Sequence, residues 1–364
     1  MSIYERVLSF IRAPEPADFE AVALEVFRYQ ASIVAPYGEY CRRLGISAHR
    51  VSKLDDIPAV STLAFKYARL AADQPLSGAS TFQTSGTTSG RNRRGTHLVS
   101  RPDIYRASAL AHLRRMLFPD AVKMRILAIH PTADRMRESS LSQMISWCIE
   151  EFGDGPSACV ADRESLDAKA ATDFLVDAAR DRAPVAILGT TASLGALFEY
   201  LEDHNIRISL EARSRIMDTG GLKGQARPLD ADTLCSAAGS LLAIEPAFVI
   251  NEYGMTELCS QLYDATALNS EDASAPTKRV KIAPPWMRAA AIDPLTLKSV
   301  APGQIGMLRF FDLANVGSVS AILTEDFGIV DGDRVRVIGR IATAEPRGCA
   351  LGIEQFEAAE RRVT

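Results

Sequence analysis

Short apolar segments alternate with amphipathic ones through the middle of this 364-residue chain. The apolar segments have the length of strands, whereas the amphipathic ones repeat apolar residues at helical spacing. In order, they predict strand 125–130, helix 140–152, helix 170–182, strand 185–188, helix 192–202, strand 215–217, helix 229–242 and strand 247–250. This alternation is typical of α/β proteins in which helices cover a largely parallel sheet. Their ligands bind at loops that follow the carboxyl ends of strands.

Different patterns lie on either side of the α/β region. Helical periodicity predicts helices before residue 58, around 63–70 and over 105–118. Beyond about residue 276, turns containing Pro and Gly separate short β runs at 307–311, 319–323 and 334–338, which predicts antiparallel structure. We therefore expect a helical segment (1–70), an α/β core (71–275), a small β subdomain (276–340) and a C-terminal segment (341–364).

Charge and composition argue against several classes of protein. The formal charge of −4, from 41 basic and 45 acidic residues, gives no electrostatic basis for binding nucleic acid. Glu5 and Arg6 interrupt any signal-peptide core, and no apolar run reaches membrane-spanning length, so we expect a cytoplasmic protein without membrane insertion. The six cysteines lack C-x-x-C pairing and zinc-ligand spacing, which predicts reduced thiols and no structural zinc.

A run of hydroxyl and glycine residues precedes the alternating strand and helix segments. It comprises Thr84, Ser85, Gly86, Thr87, Thr88, Ser89 and Gly90, followed by Arg91, Arg93 and Arg94. Glycines let backbone N–H groups approach an anion closely, and a guanidinium binds phosphate through two parallel hydrogen bonds. The run predicts a phosphate-binding loop leading towards the helix at 105–118, with a flexible polar linker as the alternative. No lysine stands where a Walker loop needs one.

Two further polar segments follow predicted strands. In 218–224, the adjacent Gly220 and Gly221 permit close contact with a base or a phosphate, although a structural turn would use the same residues. The segment 251–257 begins directly after a predicted strand. There Glu257 is suited to hold Mg²⁺, because this ion normally takes one or two carboxylates plus substrate phosphates. Thr256 is suited to donate to a phosphate and Tyr253 to stack on a purine, with a solvated loop as the alternative.

A later segment, 324–328, contains an acidic turn that is expected to follow a strand. The carboxylate of Asp326 there is suited to accept hydrogen bonds from both hydroxyls of a ribose. The alternative is an ordinary turn, because acidic residues before a turn are common.

Taken in their order along the chain, these segments resemble the core motifs of the adenylate-forming superfamily of acyl-CoA synthetases and adenylation domains. The resemblance implies a large N-terminal adenylate-forming domain that binds ATP and Mg²⁺. Its implied roles are phosphate on the 84–90 loop, adenine near Gly220 and Gly221, Mg²⁺ on Glu257 and ribose on Asp326. The remaining implied ATP-binding residues are Arg91, Arg94, Lys223, Asn251, Glu252, Tyr253, Gly254 and Thr256.

More specifically, the chain is similar to the LuxE-type acyl-protein synthetases of the bacterial-luminescence fatty-acid reductase complex. The similar segments are Ile57-Pro58, Phe65-Lys66, His130-Pro131, Ser140-Leu141, 218–221, 251–257, Asp312-Leu313-Ala314-Asn315 and Arg347-Gly348-Cys349. The resemblance implies that acyl-AMP forms from a fatty acid and ATP. The acyl group then passes to an enzyme cysteine, matched here by Cys349, and on to a partner reductase.

Three residues are candidates for catalysis. Cys349 is suited to carry the acyl group, because thiolates attack acyl phosphates and Arg347 nearby can lower the thiol pKa; the alternative is a packing role. His130 is suited to polarise the carboxylate or gate its pocket, or else only to satisfy a backbone carbonyl. Arg340, shortly before Cys349, completes the set. Cys148, Cys159 and Cys235 are expected in the core, and Cys259 in a pocket wall.

The sequence departs from the superfamily pattern in two ways. Arginine must supply the charge of the missing loop lysine, and the mobile C-terminal domain that carries a catalytic lysine in typical members is expected to be truncated to a remnant. Two alternatives therefore stand. One is an acyl- or aryl-CoA (or carrier-protein) ligase of secondary metabolism in which Cys349 takes no covalent part. The other is a non-catalytic nucleotide- or acyl-binding scaffold subunit.

Overall fold

The structure is a computed structural model that describes residues 1–72, 78–84, 94–121, 123–220, 230–268 and 279–340. Its α-helices are α1 (Ile3–Arg12), α2 (Phe19–Ile33), α3 (Ala35–Arg43), α4 (Pro102–Met116), α5 (Ser140–Phe152), α6 (Ala168–Arg180), α7 (Thr191–Asp203) and α8 (Ala231–Leu242). Its strands are β1 (Val60–Ser61), β2 (Ser80–Gln83), β3 (Thr96–Val99), β4 (Arg125–Ala128), β5 (Ala158–Cys159), β6 (Val185–Thr190), β7 (Arg215–Thr219), β8 (Val249–Tyr253), β9 (Leu262–Asp264), β10 (Lys281–Ile282), β11 (Met287–Ile292), β12 (Ile305–Asp312), β13 (Ala321–Asp331) and β14 (Arg334–Gly339).

The chain separates into two compact units. The first contains residues 1–111, 255–261 and 282–364, and the second contains residues 112–254 and 262–281. None of the described helices is long and apolar enough to cross a membrane.

The second unit is built on a mostly parallel sheet. Its strand order is β5-β4-β6-β7-β8-β9, in which only β9 runs antiparallel to its neighbour. Residues 185–189 of β6 are all buried, as expected for a strand covered on both faces. Asp218 pairs with Asn251 and Thr219 with Glu252 across β7 and β8, so the segments that leave these strands start side by side. The predicted helix-covered parallel sheet is confirmed.

Antiparallel strands dominate the first unit. β11, β12, β13 and β14 form a meander, and β1 pairs in parallel with β13 through Val60 and Ile322. Ile292, Met307, Leu323 and Phe327 form a buried apolar cluster in this sheet. A separate hairpin joins β2 to β3, where Phe82 lies opposite His97. The antiparallel structure expected beyond residue 276 is likewise confirmed.

Three local expectations are wrong. The helix expected at 63–70 is a 3₁₀-helix over Thr62–Lys66, which begins at the Ser61 side-chain cap. The loop at 84–94 leads into β3 before α4 begins, because Thr96–Val99 pairs with β2. Asp326 lies within β13 and not in a turn after a strand. Phe327 of β13 pairs with Met307 of β12, and Leu323 pairs with Arg309. Three residues of β13, 324–326, therefore lie opposite one residue of β12, which makes this part of β13 a bulge.

Candidate active site

The base of the hydroxyl-glycine loop is closed by two hydrogen bonds. The backbone N–H of Thr84 donates to the Gly95 carbonyl at 2.9 Å, and the N–H of Gly95 donates to Thr84 Oγ1 at 2.8 Å. A Cβ on Gly95 would lie 3.0 Å from Thr84 Cγ2, a tight contact that would require Thr84 to shift by a few tenths of an ångström. Arg94 is exposed beside it. Ser85, Gly86, Thr87, Thr88, Ser89, Gly90, Arg91 and Arg93 lie outside the described residues.

Lys66 lies beside this base. It is the last residue of the 3₁₀-helix Thr62–Lys66, and its Cγ would be 3.5 Å from a Cβ on Gly95. Its charge also favours the ionised form of Glu257. The loop sequence contains arginines but no lysine. Lys66, from another segment, adds a lysine charge at the base of the loop.

The segment 255–261 belongs to the first unit and carries the candidate metal ligand. Glu257 is buried, and this burial raises the pKa of its carboxyl to about 7, although the charges of Lys66 and Arg340 act in the opposite direction. The Thr256 hydroxyl lies 3.5 Å from the carbonyl oxygen of Gln83, the last residue of β2. Glu257 and Thr256 are therefore held close to the hairpin that carries the loop.

The region that carries Glu257 also fits a divalent cation chemically. Among the described residues, no cluster of three or more His, Cys, Asp or Glu side chains forms a metal cage. Magnesium does not need one when substrate phosphates supply most of its ligands. Within the same residues, the hydrogen bond that affects the Glu257 carboxyl comes from its own backbone N–H. Because burial raises the pKa of this carboxyl, a cation bound beside it would favour its ionised form.

Two acidic side chains on the β13 bulge pair with Arg340. Its guanidinium lies 2.9 Å from Glu325 Oε2 and 3.6 Å from Asp326 Oδ1. Asp326 is partly buried, and its backbone N–H donates to Thr324 Oγ1 at 3.1 Å. The candidate ribose ligand and the candidate catalytic arginine are thus brought together in the first unit.

Other side chains anchor the backbone of the 255–261 segment. His97 Nδ1 lies 2.7 Å from the Thr256 carbonyl oxygen, and Asn315 Nδ2 donates to the Glu257 carbonyl at 2.7 Å. Asp312 accepts from the backbone N–H of Cys259 at 2.9 Å and from the Ser260 hydroxyl at 2.7 Å. Burial lowers the pKa of His97 to about 4 and raises that of Asp312 to about 6.

In the second unit, the ends of β7 and β8 carry the candidate adenine residues. Gly220 has φ +94°, a conformation that favours glycine. Thr219 Oγ1 donates to the buried carboxyl of Glu252, and burial raises the pKa of Glu252 to about 7. Tyr253 and Gly254 are partly buried at the end of β8. Gly221 and Lys223 lie outside the described residues.

A buried polar network fixes these strand ends. Asn251 Nδ2 donates to Asp218 Oδ2 at 2.8 Å, and its Oδ1 accepts from Lys281 Nζ at 2.6 Å. Lys281 also donates to Asp264, to which Arg279 lies 3.3 Å away. Asn251 is expected to bind ATP, but both its amide nitrogen and its amide oxygen form hydrogen bonds within the protein.

His130 follows β4 in the second unit. Its Nε2 lies 3.3 Å from the Ser142 hydroxyl, and burial lowers the pKa of the imidazole to about 4. Among the cysteines, Cys148 and Cys235 are buried and Cys159 is partly buried. Cys259 is buried and lines a cavity with His97 and Asn315. Cys349 lies outside the described residues.

Sequence reasoning did not assign a role to Lys66, His97 or Asn315. Lys66 and Asn315 fall within two of the segments similar to the acyl-protein synthetases, so a signal existed for them. His97 had none, because its partner Thr256 is 159 positions away.

Comparison with known proteins points to one family. A family model described as acyl-protein synthetase, LuxE, matches residues 14–357. The long-chain-fatty-acid–luciferin-component ligase of Aliivibrio fischeri is 24% identical over 363 residues, covering 95% of this chain and 92% of that protein. The Vibrio harveyi protein of the same description is 23% identical over 331 residues, covering 88% and 82%.

Solved structures show a related fold. An open conformation of 2-hydroxyisobutyryl-CoA ligase, in complex with 2-HIB-AMP and CoA, has a TM-score of 0.61 and 16% identity. That similarity covers 92% of this chain and 81% of the ligase. The postadenylation state of such a ligase has a TM-score of 0.62 at 16% identity, covering 90% and 71%. At this identity the likeness concerns the fold alone.

Proposed function

This chain belongs to the LuxE acyl-protein synthetase family of ligases, and we propose that it activates a fatty acid as acyl-AMP and passes the acyl group to its own Cys349. The fatty acid is proposed from the names of the relatives, both long-chain-fatty-acid–luciferin-component ligases. The observation that carries the proposal is the environment of Glu257. It is a buried carboxyl with a raised pKa, held close to the base of a glycine-hydroxyl loop and within the electrostatic reach of Lys66 and Arg340.

In the first step, a carboxylate oxygen of the acid attacks the α-phosphorus of ATP. The bond to the bridging oxygen breaks, and pyrophosphate leaves with the negative charge. Such a reaction needs positioning and charge neutralisation more than covalent help from the protein. Lys66 and the loop arginines would neutralise phosphate, and Asp326 would accept hydrogen bonds from the ribose. The position of Lys66 beside Gly95, at the base of the loop, supports the first of these roles.

Glu257 would hold Mg²⁺, which neutralises phosphate charge and orients the phosphates when it is bound. The carboxyl must lose its proton to do so. Burial and the charge of Glu325 oppose that ionisation, whereas the charges of Lys66 and Arg340 favour it.

In the second step, a thiolate attacks the acyl carbon of the mixed anhydride and AMP leaves. We assign this thiolate to Cys349, by its Arg347-Gly348-Cys349 context. Among the described cysteines, burial raises the thiol pKa of Cys41, Cys148, Cys235 and Cys259, which disfavours their thiolates. The acyl thioester would then be delivered to a partner acyl reductase or transferase, with CoA or a carrier protein as alternative acceptors.

Labelled fatty acid with ATP and Mg²⁺ tests the thioester. We expect label on the protein that neutral hydroxylamine removes, and loss of that label in Cys349→Ala. Cys159→Ala is the matched control, because Cys159 is the partly buried cysteine of the described set. Label retained by Cys349→Ala contradicts the acyl-carrier role, and full thioester formation on CoA by the same variant favours a CoA ligase.

Exchange of labelled pyrophosphate into ATP tests the first step separately. We expect exchange that depends on the fatty acid and is lost in Glu257→Gln. Nucleotide binding without any acid-dependent exchange would contradict acyl-AMP formation and favour the scaffold alternative.

A further inference from the structure

We propose that His97 and Asn315 are positioning residues that lock the backbone of Glu257 and thereby set where its carboxylate meets a metal ion. The assignment rests on the proposed role of Glu257 in holding Mg²⁺. Neither residue needs to touch the substrate or the metal. They act on the two peptide groups that flank the Cα of Glu257.

Each of the two side chains holds one of these peptide groups. The carbonyl of Thr256 belongs to the peptide plane before the Glu257 Cα, and the carbonyl of Glu257 belongs to the plane after it. His97 lies 2.7 Å from the first carbonyl oxygen, and Asn315 donates to the second at 2.7 Å. The dihedrals φ and ψ of Glu257 describe how these planes rotate about its Cα. Fixing both planes leaves only the side-chain torsions free.

The hydrogen bond defines the protonation of His97. A carbonyl oxygen only accepts, so Nδ1 must carry the hydrogen. The other ring nitrogen, Nε2, is buried without a hydrogen-bond partner in the described part of the chain. The neutral Nδ1–H tautomer therefore satisfies the contact, and the function of His97 requires a donor at the δ position alone.

Both side chains are themselves firmly held. Asn315 is 1% exposed, its Nδ2 also donates to the Val319 carbonyl at 3.2 Å, and its backbone carbonyl accepts from Gln30 Nε2 at 3.0 Å. His97 is 1% exposed, and its ring packs edge-on against Phe65 at 5.4 Å between centroids. Because these contacts restrain both side chains, their donor groups keep a fixed position relative to the backbone of Glu257.

Two further features connect this anchor to the rest of the site. His97 lies on β3, directly after the base of the loop, so the strand that leaves the loop also holds the candidate metal segment. Asn315 ends the segment Asp312 to Asn315, and Asp312 anchors Cys259 and Ser260 two and three residues after Glu257. Asn315 and Asp312, the two ends of that segment, thus hold Glu257, Cys259 and Ser260 within one short stretch of the chain.

The size of the effect follows from other metal sites. Removing partners that orient a metal ligand typically lowers metal affinity about 10–100-fold. The same range is expected here for loss of either donor, because the carboxylate would then sample orientations in which it cannot meet the metal.

The test compares His97→Gln, His97→Asn and Asn315→Leu. The amide nitrogen of asparagine reaches the δ position of a histidine, whereas that of glutamine reaches the ε position. We therefore expect His97→Asn to stay within about threefold of the unchanged protein, and His97→Gln and Asn315→Leu to weaken metal binding at least tenfold. Tyr37→Phe is the matched control, because it removes a buried 2.8 Å hydrogen bond to the Pro58 carbonyl.

The readout is equilibrium binding of Mn²⁺ in the presence of ATP and no fatty acid, from the electron paramagnetic resonance of free Mn²⁺, alongside pyrophosphate exchange. If the unchanged protein binds Mn²⁺ but all three variants bind it equally well, the positioning role is wrong while the proposed function stands. It is also wrong if His97→Asn loses as much affinity as His97→Gln, whether by misfolding or otherwise. If the unchanged protein shows neither Mn²⁺ binding nor exchange, the proposed function itself fails and this role with it.

Discussion

Lys281 Nζ lies 3.0 Å from Asp264 Oδ1, and both residues are buried in the second unit, at 5% and 0% exposure. Lys281 donates as well to the side chain and the backbone carbonyl of Asn251, at 2.6 and 3.1 Å. Asp264 Oδ2 accepts from the backbone N–H of Asn251 at 3.1 Å. The ion pair therefore holds the backbone and the side chain of Asn251, the middle residue of β8, two positions before Tyr253 at the end of the strand.

Asp264→Leu is expected to lower the free energy of unfolding by about 3–5 kcal/mol, because it leaves the charge of Lys281 buried without its main partner. The double variant Asp264→Leu with Lys281→Met removes both charges and should lose less. Urea unfolding followed by circular dichroism measures the difference. The exposed pair Lys169–Asp173 is the control, and Asp173→Asn should change stability by less than about 1 kcal/mol. A double variant no more stable than Asp264→Leu would show that the buried charge is not the cause.

Lys66→Met is expected to raise the KM for ATP at least about tenfold in pyrophosphate exchange, since a charge-assisted hydrogen bond to phosphate contributes on the order of 1.5–3 kcal/mol. Lys66→Arg should recover part of the loss because it keeps the charge. Lys53→Met, at an exposed lysine of the same unit, is the control. An unchanged KM in Lys66→Met would leave the loop arginines as the source of phosphate-binding charge.

The sequence predicted regular elements best where the local pattern is strong. Helix α5 has the predicted bounds, since Ser139 caps its first turn and Gly153 follows its last residue. β3 was not predicted, because its four residues are too few to show the alternation of apolar and polar side chains that identifies a strand. The bulge that places Asp326 inside β13 depends on pairing with β12, which no local signal in β13 encodes.

The candidate site was predictable only in part. Short motifs, at 251–257 and 324–328, contain Glu257, Thr256 and Asp326. The order of these motifs along the chain is what predicted a nucleotide site. The contacts of His97 with Thr256 and of Asn315 with Glu257 join residues 159 and 58 positions apart, and they arise only when the strands assemble. The roles of Glu257, Thr256 and Asp326, like those of Arg91, Arg93 and Cys349, remain predictions.

Glu252→Gln is expected to change how stability depends on pH. Burial raises the pKa of Glu252 from 4.5 to about 7 in the folded state, so between these values the unfolded chain binds fewer protons than the folded one. Stability therefore falls as pH rises from about 4.5 to 7, by on the order of 3 kcal/mol from this group. Urea unfolding at pH 5 and pH 7.5 should show a smaller fall in Glu252→Gln, whose amide oxygen can still accept from Thr219. The exposed Glu164→Gln should keep the original fall, and an identical fall in Glu252→Gln would contradict the shift.

Gly95→Ala tests whether the closed base of the loop matters for nucleotide binding. The added methyl group would stand 3.0 Å from Thr84 Cγ2 and 3.3 Å from Thr84 Oγ1, the atom that accepts the Gly95 N–H, so one of the two must shift. We expect a rise in the KM for ATP of about tenfold with a loss of stability near 1 kcal/mol, because displacing this hydrogen bond alters the start of the loop more than the core. Gly155→Ala is the control, since a Cβ there meets nothing within 4 Å. Equal effects of the two substitutions on the KM would mean that the hydrogen bonds between Thr84 and Gly95 do not shape the nucleotide site.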